Sequence, residues 1–295
     1  MERITALGGT YKDPTAVALG YFDGVHIGHR AVLAPVLKQE GLTPACFTFT
    51  FENGKDMLST PAERETLLDA FGIQVMFCPA AKDIFGLSPE EFVFGVLKKT
   101  FNAKFVCCGY DFTFGKNKSG DVNTLKALCK QAGINLQVID NVCLRDISVH
   151  STVIKQYLKD GDVQAANEML GYDYCFVGEV IPGARLGRKM HFPTVNVLPD
   201  SCKLLPKFGV YASKVVIDSA SYIGVTNVGI KPTVAGTIPL TETHILGFEG
   251  DLYKKTITVS LQKFMRPEVK FDSVEALRKQ IKQDAESVKN LYKIL

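Results

Sequence analysis

The chain has 295 residues, about twice an ordinary single-domain length, so two domains that each bury a core are expected. Hydrophobic residues make up 46% and charged residues 22%, a globular balance that excludes a disordered chain. A net charge of +3 argues against a dedicated nucleic-acid binder. No apolar run approaches the ~18 residues needed to span a bilayer, and MERITALGGT carries neither an apolar core nor a cleavage site. A cytoplasmic protein with neither a membrane nor a nucleic-acid partner is expected.

The first half alternates two periodicities. Val17 to Phe22, Ala45 to Phe51, Gln74 to Phe77, Lys104 to Cys108 and Leu136 to Ile139 are short apolar runs of strand length. Between them lie helical patterns at Ala31 to Gln39, Pro61 to Ala70, Pro89 to Thr100 and Val122 to Gln131. Ser88 and Glu91 have the spacing of a capping box at the third of these. This alternation predicts a parallel sheet with helices on both faces.

A helical pair spanning His150 to Leu170 comes next, and near residue 172 the texture changes. Phe176 to Ile181, Thr194 to Val197, Val210 to Ile217, Tyr222 to Val228, Thr243 to Phe248 and Thr256 to Leu261 are β-type runs separated by Gly and Pro turns. They predict an antiparallel barrel or sandwich. In Ser273 to Ile294, Val274, Leu277, Ile281, Ala285, Val288 and Leu291 recur at helical spacing, giving an amphipathic C-terminal α-helix. The domains expected are therefore 1–172 and 173–295. The eight cysteines include no C-x-x-C pair and several sit in apolar runs, so they read as small buried hydrophobes.

Two stretches carry chemistry. Gly20-Tyr-Phe22-Asp23-Gly24-Val-His26-Ile-Gly28-His29 closes a strand and opens a helix. Its glycines let backbone approach a ligand, and a helix start offers N–H groups to phosphate. His26 and His29, three apart, share a face and can donate hydrogen bonds to a phosphoryl group in transfer. The alternative is that one histidine caps the helix and the other packs in the core. Gly115 to Gly120 has the glycine spacing of a Walker A loop but is followed by Asp121 instead of Lys. In the second half, Gly178 to Lys189 runs a strand into a glycine-rich basic loop whose backbone amides, with Arg188 and Lys189 nearby, can wrap phosphates, although glycine turns joining barrel strands are common. Thr194 and Asn196, two apart on a strand, offer hard oxygen to Mg²⁺; equally, such residues often just satisfy a turn.

The first string resembles the signature of the H-x-G-H nucleotidylyltransferases, in the form found in bacterial bifunctional riboflavin kinase/FMN adenylyltransferases. Gly109 to Gly120, with Asp111, Phe112 and Phe114, is similar to that family's G-x-D-F-x-F-G stretch near flavin and ATP. Ser151, Thr152 and Lys155 resemble its S-S-T-x-I-R motif for the triphosphate, with His150 in place of the first Ser and Lys155 in place of Arg. Pro193-Thr194-Val-Asn196 resembles the P-T-x-N motif of riboflavin kinases, and Phe208 to Tyr211, Asn227 to Thr233, Thr241 to His244 and Gly250 to Tyr253 come in the family's order.

The resemblance implies an N-terminal Rossmann-like α/β nucleotidylyltransferase domain and a C-terminal antiparallel β-barrel kinase with a closing helix. It implies ATP, riboflavin and FMN as substrates, FAD as product and Mg²⁺ as the metal, at Thr194 and Asn196. Gly20, Phe22, Asp23, Gly24, Gly28, Ser151, Thr152 and Lys155 would hold ATP in the first domain; Gly178, Gly183, Arg188, Lys189, Thr194 and Asn196 would hold it in the second. His26, His29 and Glu242 would be the catalytic residues, Glu242 as the base toward the riboflavin hydroxyl. Two other readings stay open, a kinase with an inactive first domain and a non-catalytic flavin- or nucleotide-binding regulator, and homo-oligomerisation is left open.

Overall fold

The structure is a computed structural model that describes residues 1–50, 54–182, 192–233 and 236–294. These residues cluster into two compact units, Met1–Ser151 and Thr152–Leu295.

The first unit is built on six parallel strands: β1 (Glu2–Ile4), β2 (Thr15–Leu19), β3 (Thr43–Phe47), β4 (Val75–Phe77), β5 (Ala103–Gly109) and β6 (Asn135–Ile139), in the order β1-β4-β3-β2-β5-β6. Both faces are covered, and the alternation of side chains divides the core into two. Val17, Leu19, Phe47, Val75, Phe77 and Val106 join one buried cluster, with Phe92, Val96 and Leu97 from a π-wound helix at Glu91–Thr100. Ala16, Ala18, Cys46, Met76, Phe105 and Cys107 point the other way and pack with Val32, Val36 and Leu68. Burial pushes the thiols of Cys107 and Cys108 up to about 12, so they stay protonated and act as small hydrophobes.

The first helix, α1 (Ile27–Leu33), begins four residues before the periodicity predicts, because His26 caps it: the ring Nδ1 accepts the His29 amide at 3.2 Å. The predicted continuation to Gln39 tightens into a 3₁₀ turn, Ala34–Lys38, where Pro35 supplies no amide for an α-helical bond. Helix α2 (Pro61–Phe71) opens on a full capping box between Thr60 and Glu63, and Gly72 ends it in the left-handed conformation at φ 104°. A short helix α3 (Ala81–Ile84) leads to the π-wound helix, whose predicted box is present in both directions, Ser88 N to Glu91 at 2.7 Å and Glu91 N to Ser88 at 3.1 Å. Helix α4 (Val122–Ala132) is capped by Asp121, and a small hairpin of β7 (Cys143–Leu144) and β8 (Ile147–Ser148) completes the unit. The edge strand β1 has no counterpart in the sequence pattern, since its three residues carry no run long enough to register a period.

The second unit opens with helices α5 (Ser151–Asp160) and α6 (Val163–Leu170). Asn167 fastens α6 to the barrel, accepting the Tyr174 amide at 2.8 Å and donating to Leu261 O at 2.9 Å. That barrel is closed and antiparallel, made of β9 (Cys175–Ile181), β10 (Thr194–Val197), β11 (Gly209–Ile217), β12 (Ala220–Thr233), β13 (Gly236–Ile245) and β14 (Thr256–Arg266), in the order β10-β13-β12-β11-β14-β9. Its interior mixes Val197, Val215, Ile245 and Val259 with a chain of buried hydroxyls: Ser213 to Thr226 at 2.7 Å, and Thr226 to Thr243 at 2.9 Å. Each hydroxyl finds its partner inside the barrel, so burial leaves none of the three unsatisfied.

Helix α7 (Val274–Ile294) lays Ala285 and Val288 on Val210, Ala212 and Val225, on the outside of the barrel. Its first turn departs from the predicted stripe: Val274 is 60% exposed. The helix is locked instead through Asp284, whose buried carboxylate takes Arg266 Nε at 3.1 Å and Nη2 at 2.7 Å.

Candidate active sites

In the first unit, β2 has β3 on one side and β5 on the other, the chain continuing outward in both directions from it. Ligands of open parallel sheets bind beyond the strand ends at such a switch point. A cleft of about 610 Å³ lies there, lined by Leu19, Phe47, Gly109 and Ile139 from the strand ends and by His26, Gly28, His29 and Ser151.

The loop between β2 and α1 is strained. Phe22 has φ 55° and Val25 φ 39°, left-handed values that a β-branched residue rarely adopts and that cost on the order of 1–3 kcal/mol each. A net of hydrogen bonds offsets this. Asp23 Oδ1 accepts the amides of Leu58 (2.8 Å) and Ser59 (3.1 Å), Gly24 N donates to Ser59 Oγ at 2.9 Å, and Ser151 Oγ donates to Asp23 O at 3.1 Å. Asp23 is buried, so in this geometry its carboxylate braces the loop.

The two histidines then lie face to face, ring centroids 3.6 Å apart and 16° from parallel. Gly28 permits this: a Cβ there would come within 3.2 Å of the His26 ring and 3.3 Å of Val149 O. Burial, with His150 nearby, lowers the His26 pKa to about 4. Burial, then His26, Arg64 and His150, holds His29 well below the ordinary imidazole value. Both rings are therefore neutral at pH 7. The alternatives in the sequence are both realised: His26 caps α1, and it also lines the cleft with His29, whose Nδ1 is buried without a partner.

Asp111, Phe112 and Phe114 line the same cleft, the two phenylalanines stacked at 5.8 Å. A Cβ at Gly120 would strike the Phe114 ring at 2.8 Å. Gly20 lines the cleft too and lies against the Phe22 ring. His150, where the family pattern has Ser, stands 3.5 Å from the hydroxyl of Tyr110. Thr152 and Lys155 occupy the first turn and a half of α5.

Sequence reasoning missed two features. Tyr21, Phe49 and Phe85 form an aromatic row along one wall, with centroids 5.1 and 5.2 Å apart. Arg64 is buried behind it, donating from Nη1 to Tyr21 O at 3.0 Å, lying 5.0 Å from the Tyr21 ring centre and leaving Nε without a partner. An arginine in the first turn of a helix reads as solvated, and nothing local marks it as buried.

In the barrel, register aligns the second set. Asn196 of β10 lies directly opposite Glu242 of β13, which lies opposite Asn227 of β12, and Thr194 lies opposite His244. Direct partners share a face, so Asn196, Glu242 and Asn227 form one row across three strands. Asn196 is buried and its Oδ1 has no hydrogen-bond partner. Glu242 is half-buried and Thr194 exposed. An orphaned amide oxygen beside a hydroxyl two residues away suits a hard cation such as Mg²⁺. Gly178 on β9 closes against Val197, where a Cβ would meet Cγ1 at 2.7 Å. His244 is a rim residue, hydrogen-bonded to Pro193 O at 2.9 Å and edge-on to Phe192. Gly183, Arg188 and Lys189 lie outside the described residues.

A parallel nucleotide-binding sheet joined to a six-stranded barrel, each with its own polar site, defines a two-site transferase. Comparison with known proteins agrees with that division. A family model described as FAD synthetase matches residues 9–153, and one described as riboflavin kinase matches residues 170–292. The bifunctional riboflavin kinase/FMN adenylyltransferase of Bacillus subtilis is 31% identical over 287 residues, 92% of this chain and 90% of that protein. Its counterpart from Escherichia coli K12 is 31% identical, covering 95% and 94%. A crystal structure described as a macrolide-efflux protein from Streptococcus pneumoniae superposes with a TM-score of 0.88 at 29% identity, covering 98% of both chains. No helix among the described residues is long and apolar enough to cross a membrane. The chain belongs to the bifunctional riboflavin kinase/FMN adenylyltransferase family.

Proposed function

We propose that this chain makes FAD from riboflavin in two steps: the barrel phosphorylates riboflavin with ATP to give FMN, and the parallel-sheet domain transfers AMP from a second ATP onto FMN. The functional boundary falls at residue 172, so that Ser151, Thr152 and Lys155 serve the first domain (1–172) while residues 173–295 carry the kinase. The observation that carries the reading is the row Asn196–Glu242–Asn227, with the unsatisfied Asn196 oxygen beside the one carboxylate of the row.

In the kinase step the 5′-hydroxyl oxygen of riboflavin attacks the γ-phosphorus, ADP leaves, and Glu242 takes the hydroxyl proton as the new bond forms. Thr194 and Asn196 would hold Mg²⁺ through their oxygens, and the bound ion supplies neutralising charge to the ATP phosphates. Gly178, with Gly183, Arg188 and Lys189 of the glycine-rich basic segment, would contact the triphosphate.

In the adenylyl step a phosphate oxygen of FMN attacks the α-phosphorus of ATP and pyrophosphate leaves. His26 and His29, neutral before ligand arrives, each donate one N–H to oxygens that gain charge, and the remaining work is positioning. Gly20, Phe22, Gly28, Ser151, Thr152 and Lys155 hold the nucleotide, Asp23 and Gly24 serve it by bracing the loop through Leu58 and Ser59, and Asp111, Phe112 and Phe114 meet flavin and ATP. The reactants are small molecules of the cytoplasm, and neither nucleic acid nor membrane has a part in the reading.

The test is to incubate the protein with riboflavin, ATP and Mg²⁺ and separate the flavins by chromatography. FAD is expected. A reaction that stops at FMN overturns the adenylyltransferase half and leaves a kinase; no phosphorylated flavin overturns the whole reading.

A further inference from the structure

The row that carries Glu242 does not end at Asn227. Asn227 Nδ2 donates to Glu268 Oε1 at 2.9 Å. A carboxylate only accepts, so this contact sets the amide: nitrogen toward Glu268, carbonyl oxygen toward whatever else the site presents. Two residues along the same strand face, Gly229 has no side chain, and a Cβ there would overlap the Glu268 carboxylate. The strand is thus bare where that carboxylate rests.

The segment that carries Glu268 is anchored. Arg266, two residues earlier, is held by the buried carboxylate of Asp284 through Nε and Nη2, and it donates from Nη1 to Pro267 O at 3.0 Å. Gln280 supports Asp284 at 2.9 Å. Pro267 then fixes one backbone torsion before Glu268.

We propose that Glu268 is a positioning residue for riboflavin phosphorylation, holding the Asn227 amide so that it turns an acceptor, and not a donor, toward the ligand on the row of Glu242. This rests on the kinase reading above. Without Glu268 the Asn227 amide can rotate and donate to the neighbouring Glu242, occupying the lone pairs that must take the hydroxyl proton. The loss therefore falls on turnover more than on ATP binding.

The experiment measures FMN formation by the full chain carrying E268A, E268Q, N227A, G229A and the E268A/N227A pair. Native-state hydrogen exchange of the β11 and β14 amides in the same preparations reports whether each variant's barrel is folded. Expected is a fall in kinase kcat of roughly tenfold to a hundredfold for E268A, the size typical of lost orienting partners, with the KM for ATP changed less than about threefold on that same scale. E268Q, whose amide oxygen still accepts from Asn227, should recover most of the turnover. G229A, which displaces the carboxylate without removing it, should resemble E268A. The double variant should be no worse than N227A alone, because the two residues act as one unit.

The proposal is overturned if E268A turns over within about twofold of the parent, if E268Q is as impaired as E268A, or if the losses at the two positions multiply. A parent chain that forms no FMN overturns the kinase reading itself, and this proposal with it. Failure of the positioning role alone shows as any of those three outcomes in a parent chain that still forms FMN.

Discussion

Burial of His26 makes the stability of the first unit depend on pH in a defined direction. Its pKa lies near 4 in the folded protein and near 6.5 once the chain unfolds. Between those values the unfolded state binds the proton and the folded state does not, so folding loses stability as pH falls from about 7 toward 4. Full stability is present above the unfolded pKa. From pH 7.5 to pH 5 the loss from this one group comes to about 2 kcal/mol, at 1.36 kcal/mol for each pKa unit. His29, displaced in the same direction, adds to it.

The variant that isolates the effect is H26N. Asparagine is among the best N-cap residues, so it replaces the cap on α1 while deleting the titration. The assay is native-state hydrogen exchange of the β2 amides in the ligand-free full chain, corrected for intrinsic exchange rates. Comparable protection of both proteins at pH 7.5 is expected. At pH 5 the parent should have lost about 2 kcal/mol more than the variant. Equal pH dependence in the two proteins would refute the reasoning, because it would mean that His26 is not held neutral by burial.

The geometry leads to three further outcomes. E242Q should lower FMN formation by about 10²–10⁴-fold, the usual worth of a general base, while conversion of supplied FMN to FAD continues at the parent rate; both are read by flavin chromatography. H29A should do the reverse, since it removes a cleft imidazole and leaves the barrel untouched. G120A sets a methyl group against the Phe114 ring, where a Cβ would sit 2.8 Å away, and should raise the KM for FMN in the adenylyl step. An unchanged KM would separate Phe114 from flavin binding.

Much of the fold is legible in the sequence because its forces are periodic. The parallel-sheet strands alternate between two buried clusters, and that alternation within apolar runs marks a sheet covered on both faces. The predicted strand Val17 to Phe22 overruns, since Phe22 turns left-handed just beyond Gly20 and β2 ends at Leu19. Site residues that belong to contiguous strings, such as His26 with His29 or Thr194 with Asn196, are visible as spacing. Residues brought in by tertiary packing are not. Arg64 approaches the cleft from α2, and Glu268 reaches Asn227 across 41 positions, through register and a locked helix that no local pattern encodes.

The two sites solve opposite electrostatic problems, and their burial shows it. On the proposed function the cleft receives polyanions, yet its two central imidazoles are stacked at 3.6 Å and desolvated, so they cannot both carry charge before ligand arrives. Neutral rings hold fixed N–H donors without the repulsion that would splay them, and an arriving triphosphate raises their proton affinity as its charge grows. Strain at Phe22 and Val25 fits the same purpose: the backbone is held open by Asp23 and Ser59 instead of by ligand. In the barrel the proposed kinase step demands a proton acceptor; the row carries amide oxygens and a carboxylate, and hydroxyls are buried on the opposite face of the strands. On that proposal each domain carries the polar groups its own phosphorus chemistry needs, which is why neither half can be inferred from the other.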